Sequence, residues 1–368
     1  MTPLRILILA DPFSKPSFAP RLRFLCDYLA ERGHFIEVYT EAWDTIPFPH
    51  SYPIHEIPLM RGGSWALKSV ANLLFDWKSR VFTRRVREAT SSKDYNLIFC
   101  TTFSTFPLTT ALTLARERHL PLITDIRDLD EQVPGAQYQH HRSLWLRPFR
   151  ALYSAIERRR RNRVLRLADH ITTISPWHKE FLRRFNPQIT LIYNGFDPAQ
   201  FYPEDIPTDT FRIAYIGRIY EFQDLSIIRE CVRELDLPRL SLELHTPDHD
   251  PLPLTAVGNA IRRASLMLVL TNTAAHGMMT TKFYEALGCE KPVLLIPDDH
   301  GLLAETIRRC NAGLASSDKE EIKDYIRQLY TAWTADGYTR QLVRNKDTFN
   351  RQTQARQFEL LFYNSALL

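Results

Sequence analysis

Short apolar runs alternate with amphipathic segments along most of the chain, and this alternation restricts the possible folds more than any other feature. Residues 6–10 form an apolar run that predicts a strand, and residues 21–32 have a helical spacing that ends at Gly33. Five further apolar runs predict strands at residues 36–40, 97–100, 122–125, 170–174 and 189–193. Strands that alternate with helices favour a parallel sheet covered by helices on both faces.

A proline-rich, acidic segment interrupts this pattern at residues 198–210, which contain three prolines and three acids. A second series follows, with predicted strands at residues 212–216, 240–244, 266–270 and 293–296. We therefore predict an α/β protein with two doubly wound, Rossmann-like domains that face a central cleft. The predicted domains are residues 1–200 and 208–345, and residues 346–368 are predicted to form a helix that packs back on the first domain.

The five cysteines lie far apart, and no two of them form a C-x-x-C pair. This spacing disfavours a disulfide framework and a zinc site, and it is typical of a cytosolic protein with reduced thiols. The apolar run at residues 6–10 is too short for a signal peptide or a membrane span, and no other segment approaches 18 apolar residues. We expect a cytoplasmic protein that does not span a membrane.

The loop after the first predicted strand, residues 11–20, is rich in proline and lacks a G-x-G-x-x-G sequence. This absence disfavours a dinucleotide-dependent dehydrogenase, and the chain contains no P-loop motif either. Two interpretations remain open for this loop. It contacts an acceptor or a phosphate, with Ser17 and Arg21 on the acceptor side, or it is a rigid connector.

Two acids and an arginine follow another predicted strand, at Asp125, Arg127 and Asp128. Charged groups at a strand end are costly to bury unless they are paired. Asp128 is therefore predicted to contact a sugar hydroxyl or to act on the acceptor, positioned by Arg127 or Asp125. The alternative is an ion pair between Arg127 and one of the acids that closes the loop.

The segment after the predicted strand at residues 266–270 carries the strongest site signal. A loop of small residues leads to a helix predicted to begin near Thr280, where free backbone N–H groups favour a bound anion such as a diphosphate. Lys282 adds a positive charge in the first turn, and Glu285 can accept hydrogen bonds from ribose hydroxyls. The predicted nucleotide-sugar site also includes His276, Gly277 and Thr281. The alternative is an ordinary capped helix with a surface Lys–Glu pair.

Gly217 and Arg218 end the first predicted strand of the second series. Glycine permits a ligand to approach the backbone closely, and arginine is a forked donor for phosphate oxygens. Both residues are therefore predicted to belong to the same nucleotide-sugar site.

A basic stretch lies between Arg142 and Arg166, with nine arginines and one acid, Glu157. Arginines combined with aromatic and apolar residues suit an anionic membrane surface. We predict that Arg158, Arg159, Arg160 and Arg161 contact such a surface, together with the upstream side chains of Leu144, Trp145, Leu146, Phe149 and Tyr153. The alternative is a solvated helix face.

Four segments resemble, in their order and spacing, the motifs of one enzyme family: residues 125–129, 192–197, 215–219 and 282–293. On these segments the chain resembles the retaining family-4 glycosyltransferases of GT-B architecture, especially the branch that makes bacterial surface polysaccharides such as lipopolysaccharide. The resemblance implies transfer of a sugar from a nucleotide-diphosphate donor to a hydroxyl, with retention at the anomeric carbon. It also implies an acceptor-binding first domain and a nucleotide-sugar-binding second domain.

The resemblance assigns roles to individual residues. Glu285 matches the second glutamate of the family's E-x7-E motif, which holds the ribose, and Arg218 matches the arginine that neutralises the diphosphate. Arg218 and Lys282 are then the catalytic cations, while Asp128, with Arg127, orients the acceptor. Such enzymes need no metal, and the prolines that flank residues 248–250 favour a surface turn over a D-x-D metal site.

The implied partners follow from the same resemblance. The donor is a nucleotide-diphosphate sugar, with UDP favoured over GDP, and no further cofactor is expected. The acceptor is expected to be a lipid-linked glycan, which places the protein at the inner face of the plasma membrane as a peripheral protein. The donor-site motifs argue against nucleic acid as the partner.

Some positions depart from the family pattern. Gly277 replaces the first glutamate of E-x7-E, Gln223 replaces the usual lysine after Arg218, and Arg127 stands near the usual position of a pocket histidine. Residues 245–247 replace the family's glycine-rich turn. Two alternatives therefore remain: a catalytically impaired GT-B-like binding or assembly protein, and a GT-B epimerase or phosphorylase.

Overall fold

A computed structural model describes residues 2–11, 13, 20–42, 48–59, 64–102, 105–132, 147–221, 223–271, 273 and 276–367, with backbone only at 65–66 and 147–150. The chain forms two compact units. Unit 1 comprises Met1–Tyr193 together with Ala355–Leu368, and unit 2 comprises Asn194–Gln354. The last helix therefore begins in unit 2 and continues in unit 1.

Unit 1 contains a seven-stranded sheet in which every neighbouring pair is parallel. Its strands are β1 (Arg5–Asp11), β2 (Phe35–Glu41), β3 (Ile54–Ile57), β4 (Leu97–Thr102), β5 (Leu122–Ile126), β6 (His170–Thr173) and β7 (Ile189–Leu191). They are arranged in the order β3-β2-β1-β4-β5-β6-β7. Nearly all residues of β1 and β4 are buried, as expected for strands covered on both faces.

The helices in the first segment of unit 1, Met1–Tyr193, are α1 (Pro20–Glu31), α2 (Trp65–Phe75), α3 (Trp77–Ala89), α4 (Leu108–Arg118), α5 (Arg147–Leu167) and α6 (Pro176–Leu182). A short 3-10 helix spans Asp130–Gln132. The sequence alone predicts no element between residues 41 and 96, where the structure has β3, α2 and α3. Among the described residues, no helix is both long enough and apolar enough to cross a membrane.

Unit 2 contains a five-stranded parallel sheet in the order β12-β11-β10-β8-β9. Its strands are β8 (Phe211–Ile216), β9 (Leu240–His245), β10 (Leu266–Leu270), β11 (Val293–Ile296) and β12 (Gly313–Ala315). Its helices are α7 (Ser226–Leu235), α8 (Leu254–Arg263), α9 (Thr281–Gly288), α10 (Leu302–Arg309) and α11 (Lys319–Asp336). A 3-10 helix (Lys346–Phe349) precedes the last helix, α12 (Arg351–Ala366).

The strand order reverses once in each sheet. The reversal lies between β1 and β4 in unit 1 and between β8 and β10 in unit 2. The prediction of two doubly wound α/β domains is therefore confirmed. Ligands of such sheets bind beyond the carboxyl ends of the strands at these reversals, so the structure identifies two edges at which functional residues are expected.

Helix α12 packs into unit 1 through aromatic side chains. The ring centroids of Phe358 and Phe362 lie 5.5 and 5.1 Å from that of Phe99 on β4, and all three rings are buried. On the same helix, Glu359 accepts hydrogen bonds from Arg32 at 2.6 Å and from Tyr28 at 3.1 Å. The end of the chain is thus an integral part of the core of unit 1.

Replacing Phe358 with alanine is expected to destabilise unit 1 by about 3–5 kcal/mol, because it leaves a cavity between α12 and the sheet. Leu360 lies two residues further on the same helix and is exposed, so Leu360→Ala is a matched control that should cost less than about 1 kcal/mol. Urea unfolding followed by circular dichroism measures both. Equal effects of the two substitutions would contradict the packing described above.

Candidate functional site

The strand reversal of unit 2 brings two predicted segments to one sheet edge. β8 and β10 pair in parallel, with Met267 opposite Ala214, so their carboxyl ends lie side by side. Gly217 follows β8 directly, and the segment that leads to α9 follows β10. The residues predicted from these two segments therefore meet at the edge where doubly wound sheets bind ligands.

Lys282 lies directly against Gly217. A Cβ atom on Gly217 would stand 2.8 Å from the Lys282 Cε and 3.1 Å from its Nζ, and the glycine has a φ of +123°. The backbone conformation favours glycine at this position, and an added Cβ would have to displace the end of the Lys282 side chain. The Lys282 Nζ also lies 5.1 Å from the centroid of the Tyr215 ring, within the range of a cation–π contact.

The charge of Lys282 has no acidic partner among the described residues. No carboxylate of the described residues lies within ion-pair distance of its Nζ. Burial lowers the pKa of Lys282, and the more distant charge of Glu285 opposes that shift. A half-buried ammonium without a counter-ion is costly, so this position favours a bound anion.

Arg218 supplies a second cation beside Gly217. Its side chain is exposed, and within the described parts of the chain its guanidinium forms no ion pair. Its backbone carbonyl accepts a hydrogen bond of 2.6 Å from the Tyr215 hydroxyl, which fixes the turn that carries it. The arginine is therefore held at the sheet edge with its charge available to a ligand.

Helix α9 begins at this edge. Its N-cap residue, Thr280, has an extended backbone and its side chain makes no capping hydrogen bond, and Thr281, the first helical residue, is exposed. The first backbone N–H groups of a helix have no partner within the helix and carry part of the positive end of its dipole. Together with Lys282, they form an anion-binding arrangement.

Glu285 lies one turn along α9 from Lys282. Its surroundings raise the pKa of its carboxyl through burial, while the charges of Arg351 and Lys282 act in the opposite direction. No hydrogen bond reaches this carboxylate from the residues that the structure describes. The carboxylate is thus free to accept hydrogen bonds from hydroxyl groups of a ligand.

His276 and Gly277 lie in the loop before α9. His276 is exposed, and Gly277 has a φ of +59°, in the left-handed region that favours glycine. A glutamate with this backbone conformation at position 277 would be strained.

Gln223 braces the turn after β8 instead of facing a ligand. Its amide donates a 2.9 Å hydrogen bond to the Leu270 carbonyl, and its Oε1 accepts a 3.0 Å hydrogen bond from the Tyr220 backbone N–H. The residue that replaces the family's lysine therefore links the ends of β8 and β10. It contributes no charge to the site.

Arg351, the first residue of α12, is not predicted from the sequence. It is buried, its Nε has no hydrogen-bond partner, and its backbone N–H donates to the Phe196 carbonyl at 3.0 Å. Burial lowers the pKa of Arg351, and the charges of Glu285 and Asp197 oppose this shift. The Phe349 ring, which lies 5.3 Å from the Tyr284 ring, holds this segment against α9. No local pattern links Arg351 to Glu285, because 66 positions separate them.

The corresponding edge of unit 1 is built around Asp125, at the end of β5. This buried carboxylate accepts hydrogen bonds from Thr101 at 3.0 Å and Thr172 at 2.7 Å, and it forms a 3.2 Å ion pair with Arg21. The hydrogen bonds come from the neighbouring strands β4 and β6. Asp125 therefore joins three strands and the start of α1.

Arg21 differs from its predicted position on the acceptor side. Its guanidinium is buried, donates to the carbonyls of Ile192 and Tyr193, both at 2.7 Å, and lies 4.9 Å from the Phe358 ring centroid. Its charge is thus used within the scaffold, because Asp125 and two carbonyls need a donor there. Ser17, the other acceptor-side prediction, lies outside the described residues.

Asp128 follows β5 in an exposed position, and Arg127 is half-buried beside it. The surrounding protein raises the pKa of Asp128 through desolvation; Arg127 opposes the shift, and Asp125 adds to it. Asp128 is exposed and retains access to solvent. An accessible carboxyl at the sheet edge is available to an acceptor hydroxyl.

A second cluster at this edge was not predicted from the sequence. The Lys78 Nζ lies 2.5 Å from Glu41 and 3.9 Å from Asp11, at the ends of β2 and β1, and 4.0 Å from the Phe106 ring centroid. The strand ends are visible in the sequence, but nothing near Lys78 indicates its partners. Its pairing with Glu41 supports a structural role.

The basic helix α5 requires a correction. Arg160 donates to the Asn72 and Leu73 carbonyls, both at 2.9 Å, and Arg161 is buried and binds Glu131 at 2.7 and 3.0 Å. The prediction that these two arginines contact a membrane is therefore wrong, because protein groups occupy their guanidinium groups. Arg158 is half-buried and Arg159 is exposed.

The apolar residues upstream of this basic stretch give little support to the membrane prediction. Residues 144–146 lie outside the described part of the chain, as does the side chain of Phe149. Tyr153 is half-buried, and its hydroxyl is hydrogen-bonded to Asn72 at 3.4 Å.

Within the described residues, no group of three or more histidines, cysteines or acids is placed to hold a metal ion. Residues 248–250 form an exposed turn closed by a bridge between Thr246 and His249. In that turn Asp250 lies 2.7 Å from the His245 Nδ1.

Comparison with known proteins supports the same type of fold. The family model described as Glycosyltransferase Family 4 matches residues 21–200. No curated protein shows a sequence match to the chain.

Solved structures resemble the chain over nearly its whole length. Sucrose-phosphate synthase from Thermosynechococcus elongatus has a TM-score of 0.65 at 16% identity, with 98% of each chain covered. Anabaena HepE in complex with UDP has a TM-score of 0.63 at 14% identity, covering 98% of this chain and 100% of HepE. HepE in complex with UDP-glucose has a TM-score of 0.61 at 13% identity, covering 98% of this chain and 99% of HepE. The chain therefore has the GT-B fold of glycosyltransferases.

Replacing Gly217 with alanine tests the contact with Lys282. The positive φ is expected to cost about 1–3 kcal/mol of stability, and the new Cβ must displace the Lys282 side chain. Gly337→Ala is a matched control in unit 2, because it introduces a similar strain at a φ of +77° far along the chain. Both variants should lose stability in urea unfolding, but only Gly217→Ala should weaken the binding of inorganic pyrophosphate in calorimetry. Unchanged pyrophosphate affinity in Gly217→Ala would remove this glycine from the site.

Proposed function

We propose that the protein is a glycosyltransferase that moves a sugar from a nucleotide-diphosphate sugar to a hydroxyl of a lipid-linked glycan, with retention at the anomeric carbon. The observation that carries this proposal is the position of Lys282. Its ammonium is half-buried beside Gly217, has no acidic partner in the described structure, and lies at the strand reversal of a GT-B-type unit. This is where a diphosphate would supply the missing negative charge.

The nucleotide half of the donor is assigned to unit 2. Lys282, Arg218 and the start of α9, with the hydroxyls of Thr280 and Thr281, would bind the diphosphate. Glu285 would accept hydrogen bonds from the two ribose hydroxyls, since its carboxylate has no other partner among the described residues. UDP is favoured over GDP, and the complexes of HepE with UDP and UDP-glucose support this choice by analogy of fold.

Charge stabilisation would be the main catalytic contribution of these residues. The diphosphate gains negative charge as the bond to the sugar breaks, and cations already in place stabilise that charge without reorganisation. In the proposed retaining reaction, the proton of the acceptor hydroxyl passes to a donor phosphate oxygen. Asp128, with Arg127 beside it, would orient the acceptor, so no strong protein base, metal or other cofactor is part of the proposal.

The pathway follows from the proposed acceptor. A lipid-linked glycan as acceptor would place the protein in the synthesis of a bacterial surface polysaccharide such as lipopolysaccharide. The protein would then act as a peripheral protein at the cytoplasmic face of the plasma membrane, with no role for nucleic acid.

One rival function has a specific observation in its favour. Gly277 provides no carboxylate, and the side chain of Gln223 is occupied by the Leu270 and Tyr220 backbones. Two groups that the resemblance would place near the transferred sugar and the diphosphate are therefore missing. A GT-B-like protein that binds a nucleotide but serves in an assembly would show this pattern.

Calorimetric titration with UDP, GDP and ADP tests the donor site. UDP should bind, and Glu285→Ala should weaken UDP binding by roughly ten- to a hundredfold, because two hydrogen bonds to a charged group are lost. Sugar release from UDP-sugars, measured in the same preparation, separates an enzyme from a binding protein. Absence of binding to all three nucleotides would rule out the proposed function.

The pH dependence of UDP binding should report the ionisation of Lys282. Burial lowers the pKa of Lys282 in the free protein, and a bound diphosphate favours its charged form. The contribution of the Lys282 charge to UDP affinity is therefore complete below the lowered pKa and is lost as pH rises through it. Lys282→Met should reduce UDP affinity at pH 7.5 by roughly ten- to a hundredfold. The ratio of wild-type to variant affinity, in which the ionisation of UDP itself cancels, should fall between pH 7.5 and 10. A constant ratio would contradict the role of Lys282 as the titrating cation.

A further inference from the structure

Helix α2 exposes an apolar face. Leu67, Val70, Leu74 and Phe75 are 72, 53, 61 and 59% exposed. The first three follow the spacing of one helical face, and Phe75 extends it at the end of the helix. A single exposed leucine is ordinary, but four large apolar side chains on eleven residues form a contiguous patch that marks an interaction surface.

Caps at both ends and a contact with α5 hold α2 in place. Ser64 caps its start by accepting a hydrogen bond from the Leu67 backbone N–H, and Asp76 closes its end in the left-handed conformation. Arg160 of α5 binds the carbonyls of Asn72 and Leu73 in its last turn. The helix is therefore anchored to unit 1, and its apolar face is exposed although the helix itself is fixed.

The elements around α2 are strongly basic. Residues 65–89, which contain α2 and α3, carry six lysines and arginines and two acids. The exposed side chains of this region and of α5 include the cations of Arg80, Arg84, Arg85, Arg159, Arg163 and Arg166, and the apolar Leu152. Such a combination is complementary to an anionic lipid surface. It disfavours a second copy of this chain as the occupant, because two basic patches would repel each other.

We propose that α2 docks on an anionic bilayer, with Leu67, Val70, Leu74 and Phe75 in the boundary between headgroups and acyl chains. The exposed arginines of α3 and α5 bind the lipid phosphates around it. This replaces the predicted contact through Arg160 and Arg161, which bind protein groups. This inference rests on the proposed function, because a lipid-linked acceptor would require the protein to reach a membrane. Vesicle binding is nevertheless tested separately from nucleotide binding.

Vesicle flotation with the full-length protein tests the docking surface. The wild type should float with phosphatidylcholine vesicles that contain phosphatidylglycerol, and less with phosphatidylcholine alone. The double variant Leu74→Ser/Phe75→Ser should reduce the partition coefficient at least roughly tenfold, because two large apolar side chains no longer leave water on binding. Arg159→Ser/Arg163→Ser should reduce the preference for anionic vesicles. The matched control, Leu254→Ser/Leu342→Ser, removes two exposed leucines of unit 2 and should float as the wild type does.

Measurements on the same samples make the outcomes separable. Circular dichroism and UDP titration should be unchanged by Leu74→Ser/Phe75→Ser, which shows that the variant is folded. Wild-type protein that binds UDP but does not float would overturn the docking surface and leave the proposed nucleotide-sugar site intact. Flotation of the α2 variant at the wild-type level would also overturn it. A dimer in size-exclusion chromatography that the α2 variant abolishes would instead assign this face to an interface between copies.

Discussion

Parallel pairing between β8 and β10 is the constraint on which the candidate donor site depends. These strands are adjacent although β9 lies between them in the chain, so their carboxyl ends meet and the segments after them leave the sheet together. Gln223 reinforces the junction by binding the Leu270 carbonyl. The contact of Gly217 with Lys282 follows from this junction, because a side chain from α9 can reach the end of β8 only across the strand reversal. Glycine is favoured at that point because its φ of +123° is strained for other residues, and an added Cβ would also displace the end of the lysine side chain.

The charges at this edge of unit 2 are paired less completely than those at the corresponding edge of unit 1. At the edge of unit 1, two buried carboxylates have a basic partner: Asp125 pairs with Arg21, and Glu41 pairs with Lys78. Lys282 and Glu285 are partly buried without such partners in the described structure, and Arg351 is buried near Glu285 with an Nε that has no hydrogen bond. Leaving polar groups unsatisfied costs free energy of folding. A nucleotide diphosphate that brings phosphate oxygens and ribose hydroxyls would recover that cost on binding.

The sequence predicts those parts of this site that are local. The parallel strands, the helix that begins near residue 280 and the residues Gly217, Lys282 and Glu285 all follow from patterns within short segments. Arg351 could not be found in this way, because its proximity to Glu285 depends on the packing of Phe349 against Tyr284. The ion pair between Arg21 and Asp125 is of the same kind, since 104 positions separate the two residues. Charge type and strand ends are visible in a sequence, but the partner of a charge is a property of the tertiary structure.

The contact between Arg160 of α5 and the end of α2 explains why the basic run of α5 does not face solvent along its whole length. The last carbonyls of a helix lack partners within it, and two carbonyls in the last turn of α2 receive the guanidinium of Arg160. This contact draws a basic helix inward along part of its length, so its arginine run is not a continuous solvent-facing surface. Arg160 contacts backbone carbonyls in the last turn of α2, and the side chains of Leu74 and Phe75 in that turn remain exposed. A run of arginines in the sequence predicts a basic helix, but the neighbouring helix decides which of those arginines bind protein groups.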